Sequence, residues 1–268
     1  MKKLLLTFGF IGLLASCSTT TNAVTGRKAV NTVSNETIFP QSFSQYSDVL
    51  KTGKVITGTA DAKMVQTVGE RIKNAAEQYY AQKGLSSQLQ GYQWEYKLLD
   101  ADQINAWCMP GGKVAVYTGI LPITQSANGL AVVMGHEIGH ALANHSAEQM
   151  TRQQNMQIIG TIIGSAAGNS SWGSTFEQFY PAIGQVGLLK YSRNMELDAD
   201  LTGLYLMAMA GYDPREAVPF WERMANAGSG GTVEFLSTHP SDATRIAKIK
   251  EALPTAIAYY NASPYKGK

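Results

Sequence analysis

Two histidines four residues apart, with a glutamate directly after the first, stand in the run Gly135-His136-Glu137-Ile138-Gly139-His140. Around them Leu130, Val133, Met134, Ile138, Ala141 and Leu142 recur at helical intervals, which predicts a helix over Gly129 to Asn144. Positions i and i+4 rise from one helix face a turn apart. Both imidazoles can therefore reach one metal ion, and Glu137 can lie beside a water bound to it. Zinc suits this pattern, but a catalytic zinc takes three protein ligands and keeps a fourth position for water. The best third ligand is Glu196, in Asn194-Met195-Glu196-Leu197-Asp198-Ala199-Asp200. Glu196 and Asp200 share a helix face, so the first can ligate while the second holds a ligand histidine from behind. Which histidine Asp200 holds is not readable from the spacing. His145, five residues past His140, falls off the ligand face of a continuous helix and reads as structural.

These residues need a scaffold. Asp61 to Lys83 carries Val65, Val68, Ile72, Ala75, Ala76 and Tyr79 on one stripe, an amphipathic helix with Asp61 as N-cap. Trp94 to Leu99 and Lys113 to Thr118 read as strands, and Pro110-Gly111-Gly112 between them forces a turn. The extended stretch before Pro110 suits an edge strand that takes a peptide by strand addition. Helical patterns follow: Gly129 to Asn144 continuing to Ile163, Tyr191 to Ala210, Pro214 to Ala227 and Asp242 to Leu253. The fold class is α+β, mostly helical, with a small antiparallel sheet. Ile158 to Ala167 is apolar but too short to span a membrane, and reads as a core helix, with a hydrophobic surface that touches membrane or substrate as the alternative, before a loop at Gly168 to Ser174.

The N-terminal Met1-Lys2-Lys3, the apolar run Leu4 to Leu14 and the sequence Leu14-Ala15-Ser16-Cys17 read as an export signal. Leu-Ala-Ser-Cys resembles the lipobox of bacterial lipoproteins, which implies cleavage after residue 16 and acylation of Cys17. Several acyl chains on one residue suffice for stable anchoring. Ser18 to Thr25 then reads as a polar tether. Ser18 directly after the lipidated cysteine points to the outer membrane and a periplasm-facing protein. The expected layout is a signal peptide at 1–16, a lipidated N-terminus, tether and lead-in at 17–59, and a zinc metallopeptidase domain at 60–268. With 22 Lys and Arg against 20 Asp and Glu, the net charge of +2 gives no footprint for nucleic acid. Of two cysteines, Cys108 alone remains once Cys17 is lipidated, so no internal disulfide framework is expected. Cys108 has no companion that would make it a nucleophile.

Four motifs in order carry a family resemblance: Asn105-Ala106 with Pro110-Gly111-Gly112; His136-Glu137-Ile138-Gly139-His140; Glu196-Leu197-Asp198-Ala199-Asp200; and Thr238-His239-Pro240 with Arg245. The chain resembles the zinc metallopeptidase family of HtpX-type heat-shock proteases, CAAX prenyl endopeptidases, mitochondrial Oma-type proteases and periplasmic lipoprotein members. That resemblance implies a gluzincin-type fold with one zinc per chain held by His136, His140 and Glu196, with Glu137 as general base. It also implies that Asn105 and Ala106 border the substrate cleft and that His239 faces substrate, where it can stabilise the oxyanion. Arg245, about a helical turn beyond Pro240, is placed to orient His239 or nearby carboxylates. The expected activity is endoproteolysis of unfolded or misfolded envelope polypeptides. A chaperone-like assembly factor for outer-membrane proteins, with little proteolysis, is the alternative from another class.

Overall fold

A computed structural model describes residues 18–166, 191–229, 233–239 and 243–267. The signal peptide, Cys17, the Gly168 to Ser174 loop and Pro240 lie outside these residues, as do the side chains of Ile158 to Ala167.

The first element is a hairpin of β1 (Ser18–Thr21) and β2 (Lys28–Asn31), paired antiparallel with Ser18 opposite Asn31. Ser18 to Thr25, expected as a tether from its polar composition, is folded. Its threonines place their backbone in a ladder, and Asn22 is buried. Helix α1 (Asn35–Thr52) follows, then the short strand β3 (Val55–Ile56) and helix α2 (Ala60–Gln82). The N-cap of α2 is Thr59 rather than Asp61. The Thr59 hydroxyl accepts from the Ala62 N–H at 3.1 Å, and Asp61 sits in the first turn, where a carboxylate suits the helix dipole. Of the predicted stripe, Val65, Val68, Ile72, Ala75 and Ala76 are buried, each large member contributing about 1.5–3 kcal/mol, whereas Tyr79 is half-buried and its neighbour Tyr80 is the tyrosine in the core.

Strands β4 (Glu95–Leu99), β5 (Ala106–Met109) and β6 (Lys113–Tyr117) join β3 in a sheet of order β3-β4-β6-β5. The sheet is mixed, not purely antiparallel. The Pro-Gly-Gly turn makes β5 and β6 an antiparallel hairpin, but β4 pairs with β6 in parallel, Glu95 opposite Lys113. That arrangement leaves β5 at the sheet edge, with α4 (Ala127–Leu142) against it. A one-turn helix, α3 (Leu121–Thr124), leads into α4.

Helix α4 is buried along its whole length from Gly129 to Leu142. The expected continuous helix from Gly129 to Ile163 is broken. Asn144 adopts φ 54°, a left-handed conformation that asparagine tolerates better than most residues, and α5 (His145–Ala166) starts in a new direction. Helix α6 (Arg193–Met209) is capped by the Ser192 hydroxyl and, among the described residues, forms the most extensive helix packing with α4. Small residues permit their close crossing: a side-chain carbon at Gly203 would lie 2.5 Å from the Gly135 carbonyl carbon, and one at Gly139 would lie 2.8 Å from the Ala199 oxygen. Helix α7 (Ala217–Ser229), the five-residue α8 (Glu234–Thr238) and α9 (Ala243–Ala262) complete the described chain. Helix α9 runs beyond the expected end at Leu253, through Pro254. Among the described residues no helix is long and apolar enough to cross a membrane. The molecule is α+β with helices dominant.

Candidate metal centre

The crossing of α4 and α6 puts His136 and His140 on one wall and Glu196 and Asp200 on the other. One donor atom from each of His136, His140, Glu196 and His239 lies within 4.8 Å of every other, and all four residues are buried. The two Nε2 atoms of His136 and His140 are 3.1 Å apart, and His136 Nε2 is 3.2 Å from His239 Nδ1. Glu196 Oε1 lies 3.0 Å from His239 Nδ1 and 3.5 Å from His140 Nε2, while its Oε2 is 3.5 Å from His136 Nε2. His239, at the C-terminal end of the short α8, thus stands within the donor cluster. Its Nε2 also faces Glu137 Oε1 at 3.5 Å.

The protons on the far side of each ring decide what the cluster can hold. Asp200 Oδ1 accepts from His136 Nδ1–H at 2.9 Å. Asp200 is the partner left open by the spacing, and the histidine it holds is His136. His145 Nε2–H donates to Asp198 Oδ2 at 3.0 Å, so a neutral His145 accepts at Nδ1, where His140 Nδ1–H donates at 2.9 Å. Both His136 and His140 then present Nε2 lone pairs to each other, beside a carboxylate. Acceptors approach that closely only around a cation or a shared proton, and imidazole nitrogens with a carboxylate form a donor set that zinc accepts. The residues fit a metal ion.

The electrostatics agree. Burial lowers the pKa of His136, but its hydrogen bonds to Asp200 and Glu196, and their charges, outweigh that and push it up to about 9. Burial and the neighbouring His136 hold His140 well below the usual histidine range. Burial alone would raise Glu196, yet the histidines around it, His239 first, hold it far below the ordinary carboxylate range. The carboxylates around it therefore favour a positive charge on the His136 ring.

Glu137 points at the same cluster without joining it. Burial raises its pKa, an effect only partly offset by His239, His136 and the backbone N–H of Cys108. Its Oε1 is buried with no hydrogen-bond partner among the described residues, so it is available to a proton from outside the protein. Arg245 is 2% exposed and belongs to the site rather than to a solvated helix face. Its Nε and Nη2 fork onto Asp200 at 2.7 Å each, its Nη1 lies 3.0 Å from Glu196 Oε2, and its guanidinium stacks 4.1 Å from the Trp221 ring centroid. It fixes both carboxylates at once. Asn105 and Ala106 lie at the start of the edge strand and are buried, with the Asn105 side-chain oxygen accepting from the Ala106 N–H at 2.9 Å. Cys108 is buried and its thiol is pushed well up by burial, consistent with a residue that is not a nucleophile.

Sequence reasoning missed His145 and Asp198. The available signal was Asn144, whose tolerance of left-handed backbone marks a place where the helix can break and redirect the next residue. Trp221, 5.3 Å ring to ring from His136 as well as under Arg245, carried no spacing signal at all.

Comparison with known proteins agrees with this geometry. Mitochondrial metalloendopeptidase OMA1 of Schizosaccharomyces pombe is 40% identical over 165 residues, 61% of this chain and 48% of that protein. Metalloprotease YcaL of Escherichia coli is 24% identical over 197 residues, 74% of each chain. The Beta-barrel assembly-enhancing protease of Escherichia coli is 26% identical over 161 residues, 58% of this chain and 33% of that protein. The chain spans about half the length, or less, of the OMA1 relatives it matches first. Residues 66–253 match Peptidase family M48, a span that contains His136, Glu137, His140, Glu196, Asp200, His239 and Arg245, and the chain belongs to that family.

Proposed function

We propose that this chain is a zinc endopeptidase, anchored through lipid on Cys17 to the periplasmic side of a bacterial outer membrane, that hydrolyses unfolded or misassembled envelope polypeptides. The observation that carries the enzymatic reading is the convergence of His136, His140, Glu196 and His239 on one point, beside a Glu137 oxygen that accepts no hydrogen bond among the described residues. The anchor rests on Leu14-Ala15-Ser16-Cys17, and the envelope substrates on the anchor together with the likeness to a Beta-barrel assembly-enhancing protease.

His136, His140 and Glu196 would hold the metal, because they stand on two long, tightly crossed helices. When bound there, zinc supplies Lewis acidity that polarises a peptide carbonyl and acidifies a water. Glu137, raised by burial, accepts that water's proton and returns it to the leaving amine. His239 follows directly on the five-residue α8, as its C-cap, and is the donor able to yield its place, since a peptide-cutting site needs one position free of protein ligands. Freed from the metal, its ring would serve as a donor to the developing oxyanion. Strand β5 supplies an edge along which an extended peptide can pair by main-chain hydrogen bonds, with the Cys108 backbone next to Glu137.

The burial of every group in the cluster favours a second reading, a scaffold for outer-membrane proteins with little basal proteolysis. Zinc content of the purified full chain, measured beside cleavage of casein or an unfolded envelope protein with and without a chelator, separates the two. One zinc per chain with chelator-sensitive cutting supports the peptidase. Suppressed aggregation of the envelope protein with no cutting supports the scaffold. For the anchor, a labelled fatty acid should enter the wild type but not Cys17→Ala; equal labelling removes the lipid claim.

A further inference from the structure

The groups that orient His140 extend beyond α4 to α6, to the N-terminal hairpin. Asp198 is 4% exposed and His145 is fully buried, and neither is a member of the four-donor cluster. Asp198 spends Oδ2 on His145. Its Oδ1 is taken by the turn between β1 and β2, accepting from Asn22 Nδ2 at 3.1 Å and from the Thr25 hydroxyl. Asn22 Nδ2 also donates to the Thr202 hydroxyl at 3.0 Å. Arg27 forks onto Glu148 of α5 at 2.8 and 2.7 Å, and its Nη1 lies 3.7 Å from Asp198 Oδ2. The turn is itself rigid: Asn22 Oδ1 accepts from the Val24 N–H at 2.9 Å, and Asn22 N–H donates to the Arg27 carbonyl at 2.8 Å.

We propose that this turn, Asn22 to Arg27, is a positioning element of the metal centre, acting through Asp198 and His145 to hold His140 in the tautomer that ligates. The inference rests on the reading of His140 as a metal ligand. The chain of donors runs in one direction. Asn22 and Thr25 donate hydrogen bonds to Asp198 Oδ1, which favours the ionised carboxylate and leaves Oδ2 an acceptor. Asp198 Oδ2 therefore accepts a hydrogen bond from His145 Nε2–H, which keeps that ring's proton on Nε2 and leaves its Nδ1 an acceptor. His140 must then carry its proton on Nδ1, and its Nε2 lone pair faces the cluster. Asp200 does the same for His136 directly, with Arg245 in the place of the turn. One ligand histidine is thus fixed from within the domain core. The other is fixed by a segment that starts beside the expected lipid attachment point.

The test uses the full chain. Zinc affinity is measured by competition with a chromogenic chelator for wild type, Asn22→Ala/Thr25→Val, His145→Phe and the triple variant. Loss of an outer partner of a ligand typically costs about 10–100-fold in metal affinity, so the turn variant should weaken zinc by that factor. The triple variant should be no weaker than His145→Phe, since the turn acts through that ring. Thr25→Ser keeps the hydroxyl and should bind zinc as wild type does, which guards against reading a folding defect as a loss of position. Nitrogen NMR of labelled histidine in the metal-free chain should find His140 protonated on Nδ1 in wild type and in a mixture of tautomers in the turn variant. Wild-type zinc affinity in the turn variant, or costs that add in the triple variant, would overturn the proposal. A wild-type chain that binds no zinc defeats the peptidase reading instead, and the His140 tautomer then decides whether the relay exists.

Discussion

Gly203→Ala tests whether the helix crossing sets the ligand geometry. The added carbon would sit 2.5 Å from the Gly135 carbonyl carbon, 2.6 Å from the His136 backbone nitrogen and 2.7 Å from the Gly135 oxygen. All three are backbone atoms of α4, which no side-chain rotation can move. Ordinary carbon contacts need about 3.5–4.0 Å, so α4 and α6 must separate locally by roughly 1 Å. That displacement acts between His136 on one helix and Glu196 and Asp200 on the other, whereas a fitting metal site holds its distances within about 0.2 Å. Two terms compete in stability. Alanine in a helix gains about 1 kcal/mol over glycine, while overpacking costs about 1–3 kcal/mol, so the metal-free protein should lose between nothing and about 2 kcal/mol. Zinc affinity should fall much further, by on the order of 100-fold, because a shift of about 1 Å ruins a preorganised site. Thermal unfolding of the metal-free chain together with chelator competition measures both. A variant that is more stable than wild type and binds zinc equally well would show that the crossing does not set the site.

Three other outcomes follow from the buried charges. Arg245→Met leaves the Asp200 and Glu196 carboxylates buried without their shared cation, and should cost about 3–5 kcal/mol in denaturant unfolding of the metal-free chain; a change within 0.5 kcal/mol of wild type, on the order of an ordinary surface substitution, contradicts it. His136 has its folded pKa raised from 6.5 to about 9, so its contribution to metal-free stability is full below about 6.5 and disappears as the pH rises through 9. Stability of the metal-free chain should fall by roughly 3 kcal/mol across that window, and zinc, which must displace the same proton, should bind about tenfold tighter per pH unit up to 9. Flat titrations of both would remove the shared-proton interpretation. Glu196→Ala should lose zinc while Asp200→Asn keeps it with about 10–100-fold lower affinity; tight zinc in Glu196→Ala would place the third ligand elsewhere.

The histidine pair was legible in the sequence because helical phase puts i and i+4 on one face, and the apolar residues around it report that phase; Glu196 was legible because it shares a face with Asp200 downstream of that pair, in an apolar helix. The stripe of α2 was legible for the same reason. The left-handed residue at Asn144 was not, since one residue out of phase sends the chain in a new direction without altering composition, and His145 moved with it from an apparent outlier to a partner of His140. The parallel pairing of β4 with β6 is a tertiary choice that strand propensity does not encode. The hairpin at Ser18 to Asn31 was hidden by its polar composition, because its contacts are hydrogen bonds to Asp198 and Glu148, far away in the chain. Arg245 was placed near the carboxylates by motif order, but its burial on Trp221 depends on α7 and α9 meeting, which no spacing reports.

Glu137→Gln is the substitution that separates metal binding from chemistry. It keeps the shape of a side chain whose Oε1 has no hydrogen-bond partner among the described residues, and it removes the ability to accept a proton. Zinc measured on the purified variant should remain at one per chain, with unfolding unchanged, while cleavage of an unfolded substrate falls by about 10²–10⁴-fold, the loss typical of a missing general base. Cleavage by Glu137→Gln at the wild-type rate, insensitive to chelation, would mean that this cluster is not the site of a zinc peptidase.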